Sequence, residues 1–145
     1  MMLARVQIMG EGNYMKKQAY YSIFFSIPLY GVDVLIMVGC KTKQEIEYLL
    51  KKQKVRKSTI DFWLENEHLP WLLKQTAGSL VRDGELEVIY HFKDWKTDDP
   101  HIEVLVHEVS HMVDSIAEYK NLVKETEARA YLSEYLFKTI RNNLK

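Results

Sequence analysis

His107-Glu108-Val109-Ser110-His111 decides how the rest of the chain is organised. On a helix, residues four apart share one face, so both imidazoles point the same way. Two nitrogen ligands at that spacing can grip one Zn²⁺, and Glu108 sits beside them as a general base for water. A chance match of this pattern in a chain of this length is about a one-in-a-few-hundred event. The remaining sequence has to supply a helix, a third ligand and an open coordination position.

The helix is supported on both sides of the motif. Asp98-Asp99-Pro100 opens it, with Asp99 as N-cap and Pro100 in the first helical position. Ile102, Leu105, Val106, Val109, Met112, Val113 and Ile116 surround the motif with apolar side chains, which predicts a helix buried on most sides. It ends near Tyr119 or Lys120, with Asn121 as a turn residue. A second long helix is expected over Leu122 to Asn142. Running back antiparallel, it descends about 8 Å by Glu127, which returns to within about a turn of His111. Glu127 is therefore the favoured third ligand and Glu125 its rival, since two residues apart do not share a helix face.

Just before the metal helix, Thr76 to Arg82 and Glu85 to Phe92 flank Asp83-Gly84, a hairpin signal. The second run alternates polar and apolar residues and reads as a half-exposed strand, with His91 outward. Thr42-Lys43-Gln44-Glu45 is a capping box for a helix through about Lys52. Ser58 starts another helical stretch, which Pro70 interrupts, so Trp71 to Gln75 is a kinked continuation or a separate turn. His68 in this region reads as a partly exposed structural residue.

Residues 20 to 40, YYSIFFSIPLYGVDVLIMVGC, are the most apolar stretch. A membrane span is disfavoured by Pro28, Gly31 and Asp33 in its middle. A lipoprotein signal ending in Met37-Val38-Gly39-Cys40 competes with a β-hairpin of Ile23 to Ile27 and Val32 to Val38 about a Pro28 to Gly31 turn. The hairpin is preferred, and on that reading Cys40 is a small core residue. Residues 1 to 14 read as a non-native or disordered extension. Gly10-Glu11-Gly12 can encode a purine-rich ribosome-binding sequence ahead of a start at Met15-Lys16-Lys17. Residues 15 to 145 then form one domain.

The chain has 145 residues, with 20 Lys plus Arg against 20 Asp plus Glu, so its formal net charge is zero. That balance argues against a nucleic-acid partner. One cysteine permits no intrachain disulfide and fits a reducing, cytoplasmic setting, with anchoring through Cys40 as the alternative.

The His107 to His111 motif with Glu127-Ala128-Arg129-Ala130-Tyr131 resembles the gluzincin arrangement. It is similar to small zincin-like proteins of bacteriophages and mobile elements, and to ImmA/IrrE-type metallopeptidases. The resemblance covers about Asp94 to Ile140, less than half of the chain. It implies a minimal zincin-like α+β fold, with a small antiparallel or mixed sheet packed on the metal helix and a glutamate-bearing C-terminal helix. It also implies Zn²⁺ as cofactor, Glu108 as catalytic base, a peptide or protein substrate, and Glu85 to Phe92 as the substrate-side edge strand. Larger gluzincins often carry an Asp four residues after the ligand Glu, where this chain has Tyr131. Asp114 or Glu134 is expected to orient a histidine instead. Tyr119, Tyr131 and His101 are the candidates to stabilise a developing oxyanion. The alternative is a zinc-binding accessory or interaction protein that keeps the scaffold without peptidase activity.

Overall fold

A computed structural model describes residues 7–11, 20–80 and 87–145 of the chain. The Asp83-Gly84 turn and the Met15 start lie outside the described residues. The chain is an α+β protein built on a five-stranded mixed sheet of order β1-β2-β3-β5-β4. The strands are β1 (Gln7–Glu11), β2 (Tyr20–Ile27), β3 (Val32–Val38), β4 (Ala77–Leu80) and β5 (Glu87–Phe92). The helices are α1 (Lys43–Lys52), α2 (Lys57–Glu65), α3 (His68–Lys74), α4 (Asp99–Tyr119) and α5 (Thr126–Asn143).

Residues 20 to 38 form the predicted hairpin. β2 and β3 are antiparallel, from Tyr21 opposite Val38 to Ile27 opposite Val32, and Gly31 closes the turn at φ 64°. Cys40 follows β3 and is buried, and burial and the Glu45 charge push its thiol up to about 12. Gln7–Glu11, inside the segment expected to stand apart, pair antiparallel with β2 as an edge strand. A ladder needs backbone groups only, and the outer side of β2 offers them.

The apolar alternation of the strands sorts the core into two layers. Phe25, Val34, Ile36, Val88, Tyr90 and Phe92 face α4 and α5, packing on Leu105, Val109, Leu132 and Leu136. Leu35, Met37, Leu80 and Ile89 face the other way, under α1 to α3 and their Leu49, Trp63 and Leu72. β5 is thus an interior strand, parallel to β3 and antiparallel to β4. This corrects two expectations. β5 is not half-exposed, because helices cover both of its faces, and the edge beside the α4 layer is β4. His91 does not point outward; it is fully buried in the layer beneath α1 to α3.

Local signals set the helix ends. Thr42 and Glu45 form the capping box, the Thr42 side chain accepting from the Glu45 N–H and the Glu45 carboxylate accepting from the Thr42 N–H. α3 is a separate helix, entered through Glu67 at φ 59°, and Pro70 falls in its first turn, where it removes no hydrogen bond. The N-cap of α4 is Asp98 rather than Asp99, its side chain accepting from the His101 N–H. Asn121 takes the left-handed conformation at φ 57° after α4 ends. α5 begins at Thr126, later than Leu122, because residues 122 to 125 form the turn: Leu122 N–H donates to the Ala117 carbonyl and Glu125 N–H to the Leu122 carbonyl. Among the described residues no helix is long and apolar enough to cross a membrane.

Candidate metal centre

α4 is buried on one side, through Leu105, Val109, Met112, Val113, Ile116 and Ala117. His107 and His111 lie on the opposite, exposed side. The helix is therefore not buried on most sides, and the two imidazoles need no partner to offset desolvation. They face each other all the same. Nε2 of His107 and Nε2 of His111 are 3.1 Å apart, with ring centroids 4.7 Å apart and planes near perpendicular. Two nitrogens each about 2.1 Å from a tetrahedral zinc lie about 3.4 Å apart. The imidazole pair thus has close to the bite of a metal chelate and offers two of the three protein ligands that a catalytic zinc takes.

Glu108 points toward the sheet edge. Two adjoining hollows of about 430 and 400 Å³ run between α4 and β4, and Glu108, Gln75 and Ala77 line both. His107 opens onto the first and His111 onto the second. Partial burial raises the Glu108 pKa, and the neighbouring imidazoles oppose the rise. A carboxylate with a raised pKa is a better proton acceptor than an ordinary one.

Tyr90 and Ser79 carry no sequence signal and are brought in by the fold. They are opposite each other in the β4–β5 register, and their side chains are hydrogen-bonded. Both line the hollow that holds Glu108 and His111. Burial and the Glu108 charge push the Tyr90 hydroxyl up to about 12, so it stays a proton donor. An alternating strand next to a motif helix was the available clue, but which strand residue faces the motif depends on register.

The third ligand is not brought to the histidines. Glu127 is exposed in the first turn of α5, and Glu125 is the residue before that helix. Arg129 pairs with Asp114 across the two helices. Residues 127 and 129 differ by about 200° around a helix, so Glu127 points away from the side on which Arg129 meets α4. Two residues earlier on α5, it also sits about 3 Å from Arg129 along the helix axis, toward the C-terminal end of α4. Among the described residues no three His, Cys, Asp or Glu side chains converge on one point.

The remaining candidates have other partners. Asp114 is engaged by Arg129 and Glu134 by Lys138, not by a histidine. His101 sits at the start of α4, with Nδ1 2.5 Å from Asp98 Oδ1 and Nε2 3.2 Å from Asp94 Oδ1. The Asp98 hydrogen bond, seconded by Asp94, raises its pKa. Tyr131 packs against Tyr30 and Tyr135, and Tyr119 lies exposed at the far end of α4. His68 is partly buried and packs edge-on against Phe62, as a structural residue would.

His91 is the other histidine with an unusual setting. The Cys40 backbone N–H donates to its Nε2 at 3.1 Å, so in the neutral ring the proton is on Nδ1. Nδ1 has no partner among the described residues, and burial lowers the pKa to about 4. The chain matches no protein-family model, no curated protein and no solved structure.

Proposed function

We propose that the chain is a zinc-dependent peptidase of the zincin-like type. The observation that carries this reading is the chelate-like pair of His107 and His111 on the face of α4 that also presents Glu108 to a groove along β4. His107 and His111 would hold the ion through Nε2, and the start of α5 would have to turn to bring in Glu127, or its rival Glu125, as the third ligand. Bound zinc supplies a Lewis acid that polarises a carbonyl and acidifies water. Glu108 takes the proton of the attacking water on its carboxylate and passes it to the leaving amine. Tyr90 and Ser79 hold the floor of the groove beside Glu108, and β4 offers an edge along which an extended peptide can lie.

The test combines metal content with hydrolysis. Elemental mass spectrometry is expected to find one zinc per chain in the wild type and in Glu108→Gln. Hydrolysis of a mixed peptide substrate is expected to fall by roughly 10²–10⁴-fold in Glu108→Gln. Full activity in that variant would overturn the mechanism.

A second reading draws on the absence, among the described residues, of three converging ligands. The chain would then be an accessory or interaction protein, of phage or bacterial type, that uses the same face without hydrolysis. A folded wild type that takes up no zinc after reconstitution would favour it.

A further inference from the structure

The groove beside Glu108 has a second wall of different chemistry. Trp71 of α3 is 50% exposed, yet its ring is seated. A Cβ added at Gly78 would meet Leu72 Cδ1 at 3.0 Å and the Trp71 ring carbons Cζ3 and Cη2 at 3.4 and 3.5 Å. The missing side chain at Gly78 therefore makes the shelf on which the indole rests. From there Trp71 borders the same hollow as Glu108 and His111.

The edge of the sheet runs between these walls. Lys93 N–H donates to the Thr76 carbonyl at 2.9 Å. By ladder parity Gly78 and Leu80 exchange hydrogen bonds with β5, and the N–H and C=O groups of Ala77 and Ser79 point to the open edge. An extended chain along β4 would pair with those groups and send alternate side chains to the two faces of the sheet. One set meets Glu108 and the histidines. The other meets Trp71. Glu103, Asp114 and Glu118 also line the hollows, and Arg129 neutralises only Asp114. The rim is net acidic.

We infer that Trp71 is a specificity-determining residue: it selects extended peptide segments that carry a large apolar side chain next to the residue presented to Glu108, with basic residues flanking. The inference rests on the peptidase reading for its role in catalysis, but binding tests it separately.

Isothermal titration calorimetry on the full chain carrying Glu108→Gln, incubated with zinc, compares three probes. These are acetyl-Lys-Ala-Phe-Ala-Lys-amide, its Ala-for-Phe form and its Glu-for-Lys form. The Phe peptide is expected to bind about tenfold or more tightly than the other two. Adding Trp71→Ala should erase the Phe-over-Ala preference, and Trp71→Phe should keep most of it. Equal binding of the Phe and Ala peptides, equal weakening of both by Trp71→Ala, or no binding at all would overturn the assignment. If Trp71→Ala fails to fold in a thermal melt, Trp71→Phe and the comparison of peptides on the parent protein still decide. Zinc content and wild-type hydrolysis are read alongside. Discrimination without zinc overturns the peptidase reading alone, and zinc-dependent hydrolysis without discrimination overturns the Trp71 role alone.

Discussion

The Arg129 guanidinium of α5 is ion-paired with the Asp114 carboxylate of α4, one helical turn beyond His111. The pair marks the level at which the C-terminal helix passes α4, while the apolar packing of Leu132 and Leu136 on α4 holds the two helices together. Its side chains are 32% and 60% exposed, so water screens it. Arg129→Ala is expected to lose less than about 1 kcal/mol in urea unfolding. Because Asp114 serves Arg129 rather than His111, Asp114→Asn should change zinc affinity by far less than the roughly 10–100-fold loss typical of an outer-shell partner. A loss in that range would give Asp114 a role at the metal.

The assigned ligands can be separated by metal content. His107→Ala and His111→Ala should each abolish stoichiometric zinc, since removing either imidazole destroys the 3.1 Å pair. Under the three-ligand reading the start of α5 must turn to bring Glu127 to the ion, and Glu127→Ala then weakens zinc by more than roughly a hundredfold while Glu125→Ala leaves it unchanged. The reverse pattern would move the third ligand to Glu125. Unchanged binding in both variants would leave only the imidazoles as protein ligands and contradict a three-ligand site.

Tyr90 is tested by removing the hydroxyl that it hydrogen-bonds to Ser79. Tyr90→Phe leaves the ring in place and removes a mostly buried hydroxyl, so a stability loss of about 1 kcal/mol is expected, with zinc content unchanged. Under the peptidase reading kcat should fall and zinc content should not. A variant that hydrolyses at the wild-type rate would make Tyr90 purely structural.

His91 predicts an acid-sensitive fold. Its pKa is lowered from 6.5 to about 4 by burial, so between those values the unfolded chain binds a proton that the folded chain does not. Stability contributed by the neutral ring is complete above pH 6.5 and is lost as pH falls toward about 4. The loss is at most about 3.5 kcal/mol. His91→Gln should flatten urea stability across this window, whatever it does to stability at neutral pH. An unchanged slope in the variant would show that other groups carry the acid sensitivity.

Much of the fold was legible where the signal is local. The Thr42–Glu45 capping box, the turn at Pro28 to Gly31, and the end of α4 before Asn121 each depend on residues within a few positions. The start of α5 was not legible, because Glu125 makes no side-chain cap and the turn before it is set by bonds back onto α4. β5 misled for a different reason. Alternation marks a strand with two unlike faces, but the helices α1 to α3 cover the face that carries His91. The capping shift from Asp99 to Asp98 is one residue and leaves the motif helix intact.

The sequence by itself determined the imidazole pair. A spacing of four on any α-helix puts His107 and His111 on one face with Glu108 about 100° away, whatever surrounds them. It also determined the caps and turns, whose hydrogen bonds close within a few residues. Only the tertiary structure decided that this face is open, that β4 rather than β5 is the strand at its side, and that Tyr90, Ser79 and Trp71 share its groove. Those outcomes depend on which apolar faces pack together across the sheet. Contacts between residues distant in sequence set that choice, and the same alternating pattern serves an interior strand or an edge.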